Sequence, residues 1–238
     1  MTETTGSDDP IYNRLLAALP AGEYRRLLPD LEQTPLTYGE SLYDPGDAIA
    51  YVYFPNSGIV SLLAAAQDEA MLEVGIVGRE GMIGIAAFLG VKTSSSRAVV
   101  QGHGFALRMK TAAFLAECRK SEMLSRLLKR FTQSLFAQIS QSAVCYRFHP
   151  AEDRLARWLM MTFDRMDTNE IYLTQEFLSN MLGVRREAVN KSAVILQQQE
   201  LISYSRGNIT ITNREGLETK ACRCYAVIKT EEKSFPVK

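Results

Sequence analysis

The residues best suited to do chemistry lie between Thr174 and Ile202, in the segment TQEFLSNMLGVRREAVNKSAVILQQQELI. Thr174 is a helix N-cap residue type, and Phe177, Leu178, Met181 and Leu182 follow on one helical face. Gly183 then supplies the positive φ that a sharp reversal after a helix requires. A second helix is predicted from Arg185 or Arg186. Its buried side is Val189, Ala193 and Leu196, spaced four and three, with Val184 filling the turn. Two short helices around a glycine turn form a helix–turn–helix pattern. The outer face of the second helix carries Arg186, Glu187, Asn190 and Lys191. An arginine fork bonds guanine O6 and N7, and a glutamate accepts from cytosine N4. Thr174, Gln175 and Ser179 on the first helix are candidates for phosphate contacts. Beyond Leu201-Ile202, the run Ser203 to Ile211 reads as two strands around Arg206-Gly207-Asn208. That hairpin makes the unit winged, with Arg206 near the DNA backbone.

The competing reading is a small helical bundle with a solvated charged face. Residues 151–225 hold ten Lys/Arg and ten Asp/Glu, so the unit is not basic as a whole. The balance is local: between Gly183 and Gly207, Arg185, Arg186, Lys191 and Arg206 stand against Glu187 and Glu200. The whole chain of 238 residues has 27 Lys+Arg and 27 Asp+Glu, so attraction to nucleic acid must come from such a patch. An enzyme is disfavoured. The two histidines, His103 and His149, are far apart, and neither a glycine-rich phosphate loop nor a cluster of metal ligands is evident. Cys222-Arg-Cys224 is expected on different faces of a helix, a poor metal pair, while Cys118 and Cys145 read as isolated buried thiols. Surface or capping roles are expected for the histidines, although either is a haem ligand in principle. No cofactor and no metal are predicted. Four cysteines are no disulfide framework and suit a reducing cytoplasm. No apolar run approaches a membrane span, and Met1 to Pro10 lacks the features of a signal sequence.

The elements that must position these residues fall into successive regimes. Residues 1–10 read as a disordered tail. Leu15, Leu16, Leu19, Leu27, Leu28 and Leu31, broken by Pro20 and Gly22, suggest two short helices. Ten of the fifteen glycines lie between Gly39 and Gly104, separating short runs such as Tyr51–Phe54, Ile59–Leu63, Glu73–Val77 and Ala98–Val100. That spacing predicts a compact antiparallel sandwich or barrel. Residues 111–147 lack both glycine and proline. Leu124, Leu128, Phe131 and Leu135 form a heptad seam within them, turning polar at Gln138 and Ser142. Such a seam serves self-association or a core helix covering the sheet. His149-Pro150 marks a break before the C-terminal unit, and the tail from Thr230 is polar. The fold class expected is α+β.

The segment Gly183-Val-Arg-Arg-Glu-Ala-Val-Asn-Lys191, with Leu196 and Leu201-Ile202, resembles the helix–turn–helix of the Crp/Fnr family of bacterial transcription regulators. Arg186, Glu187, Val189 and Lys191 fall on that family's recognition-helix pattern. Pro45-Gly46-Asp47, Tyr51 to Phe54 and Gly58 resemble the start of its cyclic-nucleotide-binding β-roll. The resemblance implies an N-terminal antiparallel β-roll (a jelly roll) over residues 11–112 with its N-terminal helices. A dimerisation helix over 113–147, a winged helix–turn–helix over 148–228 and a tail over 229–238 follow. It further implies a homodimer on double-stranded DNA at a near-palindromic, guanine-containing site, recruiting or blocking RNA polymerase. In cyclic-nucleotide-binding relatives a Gly-Glu pair holds the ribose and an Arg-Ser pair the phosphate. Here Gly84 is followed by Ile85, and the downstream pair is Ser96-Arg97, with the arginine one place late. A one-residue shift in a strand turns the side chain to the other face. The pocket is therefore expected not to take cyclic AMP, leaving an unknown small-molecule effector or none. Iron–sulfur members of the family place cysteines near the N-terminus, and the first 117 residues here contain none. The alternative function is a ligand-sensing roll that acts through protein contacts without DNA.

Overall fold

A computed structural model describes residues 12–65, 71–166 and 168–233. The expected tail at residues 1–10 lies outside them. Asn13, fully buried, caps the first helix, α1 (Arg14–Ala17). Its Oδ1 accepts from the Leu15 and Leu16 amides, and its Nδ2 donates to the Pro55 and Gly81 carbonyls, both at 2.9 Å. α2 (Ala21–Leu27) follows Pro20, which occupies the cap, and a 3-10 turn covers Leu28–Asp30. Pro20 thus divides the leucines between the two short helices, while Gly22 lies inside the second.

Seven strands then build two antiparallel sheets. β1 (Glu32–Leu36), β7 (Gly104–Lys110) and β3 (Tyr51–Pro55) form one, in the order β1-β7-β3. β2 (Ser41–Tyr43), β6 (Arg97–Gly102), β4 (Ile59–Ala65) and β5 (Met71–Val77) form the other, in the order β2-β6-β4-β5. A short helix, α3 (Ile85–Phe88), lies between β5 and β6. Val52, Phe54, Val60, Val77, Ala98, Val100 and Met109 fill the roll's interior. The four-stranded sheet is covered on both faces, the outer one mixing apolar side chains with the buried polar residues Ser61, Glu73 and Gln101. Ile59, Leu63 and Ile76 point outward and pack with the C-terminal unit instead. Strand alternation, offset by irregularities at Ile59/Val60 and Leu62/Leu63, divides these neighbours between two cores.

The stretch read as one helix is two. α4 (Thr111–Lys120) ends at Ser121, whose hydroxyl accepts the Leu124 amide at 2.9 Å and starts α5 (Glu122–Phe148). Neither glycine nor proline marks the break; a serine N-cap makes it. The seam also needs correction. Leu124, Leu128, Phe131 and Leu135 are buried within the chain itself, against the roll. A Cβ on Gly81 would lie 2.1 Å from the Phe131 ring, so roll and helix approach as closely as glycine allows. A heptad stripe is equally the mark of a helix lying along a sheet, and the roll supplied that surface. The opposite side of α5 exposes Phe136, Val144 and Phe148, with Ser140 and Ala143 between them.

The C-terminal unit contains α6 (Ala151–Phe163), β8 (Glu170–Tyr172), α7 (Gln175–Leu182), α8 (Arg186–Gln198), β9 (Ile202–Ser205), β10 (Asn208–Ile211), α9 (Arg214–Lys220) and α10 (Arg223–Lys233). α10 extends the helical part through Thr230–Lys233, where a polar tail was expected. Tyr225 and Ile228 anchor it in the core. No described helix is long and apolar enough to cross a membrane.

Candidate nucleic-acid interface

α7 begins where Thr174 Oγ1 accepts the Phe177 amide at 3.1 Å. It ends at Gly183, at φ 60°, where a side chain is disfavoured and a Cβ would lie 2.6 Å from Leu72 of the roll. The Val184 amide returns to the Ser179 carbonyl at 3.1 Å, tightening the reversal. α8 then buries Val189, Ser192, Ala193 and Leu196 against α6 and α7.

The face left to solvent carries Arg186, Glu187, Asn190 and Lys191, with Arg185 at the N-cap. Among the described residues, Arg185, Arg186, Glu187 and Lys191 form no ion pair. Arg186 and Glu187 are sequence neighbours and project apart, so the guanidinium fork and the carboxylate both remain available. Gln175 Nε2 reaches Asn190 Oδ1 at 3.5 Å, linking the two helices of the motif. Thr174 and Gln175 lie at the surface. Ser179 does not: it is buried and its hydroxyl donates to the Glu176 carbonyl at 2.7 Å. The expected phosphate contact does not fit there, because the helix places that position against its neighbours.

The wing is the hairpin of β9 and β10, extended by β8 in the order β8-β10-β9. Ser205 pairs with Asn208, so Arg206 and Gly207 alone make the turn and Asn208 is already in the strand. Both turn residues have positive φ, 50° and 90°, the signature of a type I′ hairpin. Arg206 is exposed at its tip.

In the roll, Gly84 has φ 90° and leads into α3, with Ile85 packed on the core. Ser96 donates its amide to Ser94 Oγ at 3.2 Å. Arg97 pairs with Leu63 across the sheet, while its neighbours Ala98 and Val100 enter the roll core. Its guanidinium therefore lies on the outer face, bonded to Asp44, beside a cleft of about 390 Å³ lined also by Tyr38, Phe177 and Met181. The sequence reading missed Tyr43. Its ring is buried beside Ser94 and the Gly84 backbone, and burial pushes its hydroxyl up to about 12. An aromatic ring thus stands between the two halves of the expected effector site.

Glu73 was also missed. It is buried where the roll meets α6, accepting from Ser61 Oγ at 2.7 Å and from Trp158 Nε1 at 2.8 Å. Desolvation pushes its carboxyl up to about 7, against the opposing pull of these donors and of Arg157 and Arg165. Gln101 Nε2 donates to Thr162 Oγ1 at 3.2 Å and Arg165 bonds Glu80 at 2.6 Å across the same boundary.

The sequence reading of the cysteines also needs correction. α10 starts at Arg223, so Cys222 precedes the helix, and the two thiols are not splayed by helical geometry. Cys222 Sγ lies 3.4 Å from Cys145 Sγ, and Cys224 Sγ lies 3.5 Å from His149 Nδ1. Cys118 alone stands apart, in the roll core, where burial pushes its thiol up to about 12.

A cyclic nucleotide-binding domain model matches residues 34–121, and a Crp-like helix-turn-helix domain model matches residues 153–220. This chain belongs to the Crp/Fnr family. It is a Crp/Fnr-type transcription regulator with a helix–turn–helix DNA-binding domain. Solved structures share the fold of this Crp/Fnr member. FixK2 from Bradyrhizobium japonicum is 15% identical, with a TM-score of 0.69 over 81% of this chain and 98% of its own. A putative Crp/Fnr transcriptional regulator from Eubacterium rectale is 17% identical, with a TM-score of 0.68 over 88% and 98%. CLP of Xanthomonas campestris, a c-di-GMP responsive global regulator, is 18% identical, with a TM-score of 0.62 over 81% and 99%. No curated protein sequence matches this Crp/Fnr member.

Proposed function

We propose that this regulator binds a near-palindromic promoter site as a homodimer, reads bases with α8, and does so without cyclic AMP. The observation that carries the reading is the exposed, unpaired set Arg186, Glu187 and Lys191 on a helix whose other face is fully packed. Arg186 stands at the helix start, where side chains enter the major groove first. Thr174 and Gln175 would hold phosphate from α7, and Arg206 from the wing. Two-fold symmetry sets the half-sites about one helical turn apart, ~10 base pairs. Contact with RNA polymerase, to recruit or block it, belongs to this reading. The homodimer would use the exposed side of α5, around Phe136, Ala143, Val144 and Phe148, because the buried seam is already occupied.

Selection from a random DNA pool tests base reading. Arg186→Ala should cost about 1–3 kcal/mol and relax a guanine preference in each half-site. Glu187→Ala should relax another position with little loss of affinity, since it also removes repulsion from phosphates. Variants that keep the wild-type sequence preference would refute base reading by α8.

The effector reading rests on Ile85, on Arg97 facing outward and on Tyr43 between them. Calorimetric titration should show no tight uptake of cyclic AMP. A micromolar, ribose-dependent signal would overturn this. A different small-molecule effector remains compatible with the outer cleft beside Arg97.

A further inference from the structure

The chain has four cysteines and two histidines, and three of the cysteines and one histidine meet at one place. Cys145 lies on the last turns of α5, and His149, four residues on, is that helix's C-cap. Cys222, 77 residues beyond Cys145, immediately precedes α10, and Cys224 lies in its first turn. The three thiols are buried, and His149 is half-buried. Their donor atoms all lie within 4.8 Å of one another. Among the described residues this is the one group of three or more potential ligands so placed.

We propose that Cys145, His149, Cys222 and Cys224 bind a single zinc-class divalent cation in a tetrahedral Cys3His site that clamps the end of α5 to α10. A tetrahedral ion bonded to sulfur at about 2.3 Å and to nitrogen at about 2.0 Å sets its ligands roughly 3.5–3.8 Å apart. Cys145 Sγ with Cys222 Sγ at 3.4 Å and Cys224 Sγ with His149 Nδ1 at 3.5 Å lie within about 0.4 Å of that spacing, and no donor pair needs to close by more than roughly 1.3 Å. Thiolate and imidazole donors in this number select tetrahedral, thiophilic ions over magnesium or calcium, which take oxygen.

Charge supplies a second, independent argument. Arg157 of α6 is 2% exposed and its charge acts on Cys145 and Cys222. Its Nη1 donates to Ser142 Oγ at 3.3 Å and to Met161 Sδ at 3.5 Å. Its Nε has no hydrogen-bond partner, and no carboxylate pairs with it among the described residues. Glu73 is the carboxylate whose charge reaches it, without a direct ion pair, and a buried guanidinium lacking such a pair is costly. A divalent ion held by three thiolates and a neutral imidazole carries one net negative charge, which Arg157 balances. On binding, the three thiol protons pass to solvent, and no redox change is involved. The site spans the Phe148–Pro150 junction, so an ion there fixes how the DNA-binding unit leaves α5, whether or not α8 reads bases.

The test uses the full chain. Purified under thiol reduction, it should contain about one zinc per chain. Chelated and reloaded with cobalt(II), it should show tetrahedral d–d bands and sulfur-to-cobalt charge transfer, saturating at one equivalent. Cys145→Ser and Cys222→Ser should abolish the charge-transfer signal at that stoichiometry, while Cys118→Ala keeps it. X-ray absorption at the zinc edge of the unaltered chain should give three sulfur neighbours and one nitrogen, a readout independent of whether a variant folds. No cobalt uptake, a shell of oxygen and nitrogen alone, loss of the signal in Cys118→Ala, iron in place of zinc, or a Cys145–Cys222 disulfide persisting under reduction would each overturn the proposal.

Discussion

Arg206 holds the left-handed backbone region at φ 50°, where a non-glycine residue costs of order 1–3 kcal/mol, and it does so at the exposed tip of the wing. Asparagine or glycine would fit the turn with less strain, so a backbone role does not account for an arginine here. The phosphate contact proposed for Arg206 would supply the reason. Arg206→Ala should weaken binding to all sequences alike and make the slope of log K against log salt shallower by about one. Arg206→Asn should keep the hairpin and show the same salt effect, which separates the charge from the turn. Equal salt slopes in wild type and both variants would exclude a phosphate contact here.

α5 carries two apolar faces, one buried against the roll and one exposed. Its heptad face is buried on the roll, while Phe136 and Phe148 stand 65% and 70% exposed on the other side. The two faces give opposite outcomes. Phe131→Ala should destabilise the fold by about 3–5 kcal/mol, since it empties a buried site against Gly81. It should unfold the chain before it dissociates a dimer. Phe136→Glu should leave the melting temperature nearly unchanged, because an exposed substitution costs within about 0.5 kcal/mol. It should still convert the proposed dimer to monomer in sedimentation at micromolar concentration. A Phe136→Glu variant that sediments as wild type would place the dimer contact elsewhere.

The two halves of the molecule share a core across the four-stranded sheet, and Glu73 is a fully desolvated carboxylate at that boundary. Its folded pKa of about 7 lies above the ordinary glutamate value of 4.5. The folded state thus binds the proton more tightly, and stability is highest below pH 4.5 as far as this group is concerned. It falls as pH rises through the window from 4.5 to about 7, by about 1.4 kcal/mol for each unit, and is constant above. Arg157 and Arg165 oppose the shift without cancelling it. Glu73→Gln keeps an acceptor for Trp158 and should flatten the dependence between pH 5 and 7.5, with the larger gain at the upper end. Thermal melts across that range decide it, and parallel curves for both proteins would assign the dependence to other groups.

Local pattern was enough for the helix–turn–helix, because its determinants are close in sequence: a Thr174 cap, a glycine at positive φ, and a four–three apolar spacing. The β-roll was legible as a class for the same reason, through short β-rich runs between glycines. The partner of each apolar face was not legible. The stripe on α5 reads identically against a second chain or against its own roll, and only the close approach at Gly81 decides for the roll. Ser179 illustrates the same limit on a smaller scale, since its exposure depends on what packs beside α7. Tyr43 and Glu73 carry no local signal at all, because their roles come from strands and helices brought together from distant parts of the chain. The thiol–imidazole cluster is the extreme case. Cys145 with His149, and Cys222 with Cys224, are each an unremarkable pair, and it is the packing of α10 on α5 that makes them one set of donors.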